Sequence, residues 1–226
     1  MTARRQGGKP ARRQESQTTR TRRVLEILDR LKVEYPDAAC ALEHEDAYQL
    51  LVATILSAQC TDARVNMVTP ALFATYPDVR RLARARQADV ERLIQSTGFF
   101  RNKAKNLIAM AQAVVADHQG EIPRTMEQLR ALPGVGRKTA NVVLGNAFGI
   151  NEGITVDTHV IRLSRLLRLT RHTDPVKIEQ DLITLIPQED WTLVSHLLIL
   201  HGRKVCIARR PQCGACVIAS LCPSSL

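Results

Sequence analysis

Aromatic residues are scarce in this chain, 4% of 226 residues, and no run of 18 consecutive apolar residues occurs. The first shortage argues against a β-sandwich: Ala, Leu, Val, Ile and Arg dominate, a composition suited to helices packed on helices. The second excludes a membrane-spanning helix. The N-terminus carries positive charge without the apolar stretch of a secretory signal. The expected location is therefore cytoplasmic, where six cysteines stay reduced and serve as ligands or free thiols. The length suits one large domain or two small ones.

Acidic charge is also in short supply. Lys and Arg number 32 against 22 Asp and Glu, a net charge of +10. Residues 1–23 hold eight basic residues and one acidic one, so this segment carries +7 and the remainder only +3. With almost nothing apolar, residues 1–23 read as a disordered basic tail: first a plain solvated extension, then a segment with salt-dependent attraction to nucleic acid, and third an organelle transit peptide.

From Val24 onward, apolar side chains recur at helical spacing. Val24, Leu25, Ile27, Leu28 and Leu31 line a first helix, and Tyr48 to Leu56 reads as a buried one closed by Ser57-Ala58-Gln59. Thr61 or Asp62, Asn102, Thr125 and Asp157 are the expected N-caps of later helices, and Thr125 with Gln128 makes a capping-box pattern. Further helices are predicted at 88–95, 137–147, 175–185 and 191–200. No strand pair and no internal repeat is evident, so the fold class is all-α.

Two short helices joined by Pro133-Gly134-Val135-Gly136 form a helix–hairpin–helix over 125–147. Gly134 and Gly136 permit positive φ and remove the Cβ that would hold a ligand away from the backbone. Their amides, with the N-terminus of the next helix and Arg137, suit an anionic oxygen such as a phosphate. That grip carries register and no base information. Lys138 follows directly. An unperturbed lysine is only roughly 0.04% neutral at pH 7, so two roles are open: a solvated phosphate ligand, or a nucleophile whose amine is freed by partial burial and the helix N-terminus. Asp157 likewise reads as a helix cap or as the carboxylate such a nucleophile needs.

Near the C-terminus stand Cys206, Cys213, Cys216 and Cys222, four thiols within 17 residues. They suit Zn²⁺ or an iron–sulfur cluster, and spacing alone does not choose. Arg203, Lys204, Arg209 and Arg210 surround this segment and are candidates to face a phosphate backbone. Cys40 and Cys60 lack partner spacing and read as buried free thiols.

With the hairpin, the segment Thr155-Val156-Asp157-Thr158-His159-Val160 and the cysteine ladder in this order, the chain resembles the endonuclease III family. These are iron–sulfur DNA glycosylase/AP lyases of the helix–hairpin–helix superfamily, which excise oxidised pyrimidines from duplex DNA. The resemblance runs from about Val24 to Cys222. It implies Lys138 as nucleophile, Asp157 as the essential carboxylate and a 4Fe–4S cluster on the four cysteines. It implies Gln59 and Phe99 as fillers of the space left by a flipped nucleotide, although the family commonly has Leu-Tyr where this chain has Phe99-Phe100. His159 either contacts phosphate or simply lies near the cap. Two lobes are expected around a DNA-binding cleft: a helical barrel over 41–151, and a cluster domain of 24–40 plus 152–226. A monomer acting on duplex DNA with damaged bases or abasic sites completes the expectation. An adenine-mismatch glycosylase on the same scaffold is the nearest alternative, but it lacks the hairpin lysine. A non-catalytic DNA-binding iron–sulfur module is the other, and the joint presence of Lys138 and Asp157 speaks against it.

Overall fold

The computed structural model describes residues 15–225. These form eleven α-helices with short 3₁₀ turns and no strand among the described residues. None of the helices is long and apolar enough to cross a membrane.

Helix α1, Gln17–Glu34, starts seven residues before the expected one. Ser16 caps it, its side chain accepting from the Thr19 amide. Arg23 donates to Glu15 and to the carbonyls of Leu167 and Leu221. Residues 17–23 are thus not a disordered tail. Low hydrophobicity pointed to disorder, but here arginine stems and guanidinium hydrogen bonds do what apolar side chains do elsewhere. The remainder of that expected tail, residues 1–14, lies outside the described residues.

The helices pack around two hydrophobic cores. The first is built by α2 (Ala47–Leu56), α3 (Asp62–Thr75), α4 (Val79–Ala83), α5 (Gln87–Ile94), α6 (Phe100–Asp117), α7 (Met126–Ala131) and α8 (Arg137–Phe148). Helix α2 lies at its centre, with Leu50, Leu51, Val52, Ala53 and Leu56 fully buried. A helix apolar on every side must be surrounded, which explains why the others wrap around it. The second core joins Val24, Ile27, Leu28, Leu31 and Tyr35 of the first segment to residues between Ile154 and Ile218. It is carried by α1, α9 (Thr158–Leu166), α10 (Pro175–Ile183) and α11 (Trp191–Lys204). The chain therefore starts in one lobe, builds the other, and returns.

Most helix starts are where local chemistry put them. Thr61, Thr125 and Asp157 each accept the amide three residues on. Asn102 does not cap: α6 begins at Phe100, behind a left-handed Phe99, so Asn102 lies inside the first turn. Helix α3 runs through Pro70 to Thr75, and Tyr76 is its C-cap.

Between the lobes, α8 lies against α11. Gly145 makes this crossing possible, because a Cβ there would sit 2.1 Å from Thr192 Oγ1. At the start of α8, Arg137 donates through Nε and Nη2 to both carboxylate oxygens of Glu179 on α10, at 2.7 and 2.9 Å. Asn141 donates to the same carboxylate at 3.1 Å. Glu179 is buried, and Gly153 leaves the space it occupies. Removing one member of a buried ion pair strands the others, at a cost of several kcal/mol when both are enclosed. Arg137 is part-exposed, which reduces that figure. Glu179→Ala is expected to lower unfolding free energy by about 2–3 kcal/mol in urea denaturation, and Glu179→Gln, which keeps an acceptor, by less.

Candidate functional site

The hairpin turn between α7 and α8 is shaped as expected at its first glycine and differently at its second. Gly134 has φ of 78°, a left-handed conformation that suits glycine, and a Cβ there would crowd Asn106 at 3.0 Å. Gly136 is extended, with φ of −92°, so positive φ is not its purpose. It is the N-cap of α8 with nothing within 4 Å of where a Cβ would lie, so the first-turn amides face open space. No side chain caps them, which leaves donors for an anion at the positive end of a 12-residue helix. Val135 turns inward and is buried in the first core.

Lys138 stands on the first turn of α8 and Asp157 at the head of α9, and both line one cavity of about 110 Å³ between the lobes. Its wall also includes Cys40, Ser57, Asp62, Asn146, His196 and Arg203. Asp157 Oδ1 accepts from the Val160 amide at 2.8 Å, while Oδ2 has no hydrogen-bond partner among the described residues. Capping and facing the cavity are therefore compatible. The partial burial expected of Lys138 is absent from the protein alone, where its side chain is exposed.

Gln59 and Phe99 are both exposed and both left-handed, with φ of 53° and 47°. Such a conformation costs a non-glycine residue on the order of 1–3 kcal/mol and persists where the surroundings enforce it. Phe99 is 65% exposed at a loop tip, whereas Phe100 turns in against the first core.

The cationic candidates divide. Arg137 is committed through Nε and Nη2 to Glu179, so its guanidinium is not the free phosphate ligand expected. Arg203 pairs with Asp62 across the cleft at 2.7 Å, linking α11 to α3. Lys204 Nζ lies over the Tyr35 ring, 5.4 Å from its centroid. Arg209 and Arg210 are exposed on the loop between the first two cysteines. His159 is half-buried, its Nδ1 enclosed without a partner, and burial pushes its pKa down.

Cys206, Cys213, Cys216 and Cys222 line a second cavity, of about 250 Å³, with Ile207, Ile218 and Leu167. All four are free thiols. Among the described residues no three His, Cys, Asp or Glu side chains close around a single metal ion. Four sulfur donors around an apolar-walled cavity of this size fit a multi-atom iron–sulfur cluster better than one zinc ion. Buried His201 bridges Cys216 Sγ, 3.3 Å from Nε2, and Tyr35 Oη, 3.0 Å from Nδ1. Cys40 and Cys60 are half-buried free thiols packed against the first core.

Glu179, Asn146 and His196 were missed by sequence reasoning, and Asp62 was read only as a helix cap. Each pairs with a residue at least 38 positions away, and no local pattern announces such a partner.

An all-helical two-lobed fold with a glycine hairpin feeding an interlobe cavity defines a class. Residues 52–188 match the model of the HhH-GPD superfamily base excision DNA repair proteins, and the chain belongs to that superfamily. Residues 206–222 match the iron–sulfur binding domain of endonuclease III. Within the superfamily the chain is a member of the endonuclease III family. It is 58% identical to endonuclease III of Synechocystis sp. over 92% of this chain and 94% of that relative. Identity to endonuclease III of Bacillus subtilis is 44%, over 86% and 89%, and to that of Escherichia coli 39%, over 88% and 93%. A non-covalent endonuclease III–DNA complex superposes with a TM-score of 0.85 at 41% identity, covering 91% of this chain and 96% of that one. A trapped endonuclease III–DNA covalent intermediate gives the same values. The cofactor of the cysteine segment is a 4Fe–4S cluster.

His196, on the cavity wall, is held by Asn146 Oδ1 at 2.7 Å, and burial pushes its pKa below the ordinary 6.5. The unfolded chain therefore binds a proton that the folded one resists. Stability from the neutral ring is complete above about pH 6.5 and declines as pH falls from there toward the lower folded value. Urea midpoints measured across that window are expected to fall with pH, and to fall less steeply in His196→Gln.

Proposed function

We propose that this protein is a bifunctional DNA glycosylase and AP lyase that removes oxidised pyrimidines from duplex DNA in base excision repair. The observation carrying this reading is the common cavity of Lys138 and Asp157. DNA is the substrate; the protein works as a monomer, in the cytoplasm on nucleoid DNA. The functional units are a helical barrel, residues 41–151, and a cluster domain, residues 24–40 plus 152–226.

A phosphate 3′ or 5′ to the lesion seats on the α8 amides exposed beside Gly134 and Gly136, and fixes the strand's register. Arg209 and Arg210, on a loop held at both ends by cysteine ligands, meet the backbone further along; Arg203 and Lys204 add positive charge nearby, and His159 lies beside them. The damaged nucleotide rotates out of the stack, at a cost of a few kcal/mol. Gln59 and Phe99 enter the vacated space, and stacking on an aromatic ring recovers roughly 1–3 kcal/mol. DNA then covers Lys138 and removes the water that surrounds it in the free protein.

Asp157 Oδ2 accepts a proton from Lys138, which leaves the amine free to attack. The neutral amine bonds to C1′ as the C1′–N bond breaks, and the base leaves with that electron pair and a proton. Opening of the sugar gives an imine to Lys138. Loss of a C2′ proton expels the 3′ phosphate, which nicks the strand, and water releases the lysine. Cys206, Cys213, Cys216 and Cys222 hold the 4Fe–4S cluster, whose contribution when bound is to cross-link a segment that has little other core.

Borohydride reduces the imine to a stable adduct. Wild-type protein is expected to trap on damaged duplex and Lys138→Ala to give no adduct; trapping by Lys138→Ala would overturn the assignment. Asp157→Asn keeps an acceptor for the Val160 amide, so it should fold normally yet lose about 10²–10⁴-fold in excision rate, measured in single turnover.

A further inference from the structure

Lys103 is the one lysine buried among the described residues, 5% exposed, and the glycosylase and lyase steps do not use it. It sits on the first turn of α6. Nζ donates to the Leu56 carbonyl at 2.8 Å and to the Thr97 carbonyl at 2.8 Å, and no carboxylate is paired with it among the described residues. An ammonium without a counter-ion is retained in a protein interior only where hydrogen bonds hold it. Both acceptors occupy particular places. Leu56 is the last residue of α2, three positions before Gln59. Thr97 ends the 3₁₀ turn Gln95–Thr97, two positions before Phe99. Terminal carbonyls of helical segments lack an intrahelical donor and attract a cation. A single charged nitrogen thus anchors the stems of two loops that approach from distant parts of the sequence. The backbone adds a third tie, because the Lys103 amide donates to the Phe99 carbonyl at 3.1 Å.

Each loop ends in an exposed left-handed residue, Gln59 or Phe99. A strained conformation persists only if the adjoining backbone is held, and Lys103 holds both. We propose that Lys103 is a positioning residue that locks the Gln59 and Phe99 loops into one rigid wedge, so that the two side chains enter the duplex together. This rests on reading Gln59 and Phe99 as the residues that fill the opened stack. Stability alone accounts for a cap on one helix. It does not account for one cation joining the two stems whose tips carry the strain.

The test compares excision of a thymine glycol in duplex DNA, which needs the wedge, with cleavage at an abasic site in single-stranded DNA, which has no stack to open. In Lys103→Met the duplex-to-single-strand rate ratio is expected to fall at least about tenfold. A 2-aminopurine next to the lesion should show a smaller fluorescence rise on binding. Losses from Gln59→Ala and Phe99→Ala should overlap in the wild-type background and multiply in Lys103→Met, since uncoupled loops act independently. Should Lys103→Met fail to fold, Lys103→Gln, which keeps a donor, is read by the same ratio. A ratio within about twofold of wild type, while Gln59→Ala or Phe99→Ala lowers it, would overturn the role of Lys103 and leave the wedge standing. If neither of those two variants lowers the ratio, the wedge reading itself fails and takes the proposal with it.

Discussion

The geometry of this protein depends on how α8 is held against the second lobe. Arg137, at the start of that helix, is bound through two nitrogens to a buried carboxylate on α10, and Asn141 one turn later shares it. Lys138 is the next residue. An arginine–carboxylate pair of this kind is planar and directional, so it sets the rotation of the helix as well as its distance. Apolar packing would permit several rotations at nearly equal energy. Here only one turns Lys138 toward the cavity that Asp157 also lines.

Other contacts along the seam have the same polar character. Asp62 meets Arg203, Asn146 meets His196, and Gly145 and Gly153 supply the close approaches. A cleft that must admit a charged polymer cannot be closed by hydrophobic contact. Its two walls are joined at the edges by hydrogen bonds that tolerate water, and each wall keeps a separate apolar core. The same division explains the chain's course. Leaving the second lobe after α1 and returning near residue 152 gives two chain crossings, which limits how far the walls can separate.

The candidate site residues mostly sit where backbone groups lack partners. Asp157 is a helix cap, Gly136 leaves a helix start uncapped, and Gln59 and Phe99 stand just past helix ends in left-handed conformations. Helix ends are where donors and acceptors are left over, so they are natural places for a ligand to be gripped. The cysteine segment follows a different principle. It has only short 3₁₀ turns, and its four cysteines line an apolar-walled cavity.

The amino-acid sequence by itself determined most of what is governed by neighbours a few residues apart, the cap at Asn102 and the conformation of Gly136 excepted. The all-α class followed from helical periodicity, the caps at Thr61, Thr125 and Asp157 from three-residue patterns, the hairpin from its glycines, and the sulfur ligands from their spacing. Tertiary structure alone decided which free groups remained free. Arg137 looks available for phosphate until Glu179, 42 residues away, is brought beside it. Arg23 looks like part of a solvated tail until the carbonyls of Leu167 and Leu221 arrive. Lys103 looks like any surface lysine on α6 until the ends of two other segments converge on it. A long cationic side chain does not reveal its partner locally, because its reach exceeds one helical turn and the partner comes from another part of the chain. Short-range hydrogen bonding is written in consecutive residues, and long-range pairing is settled only by packing.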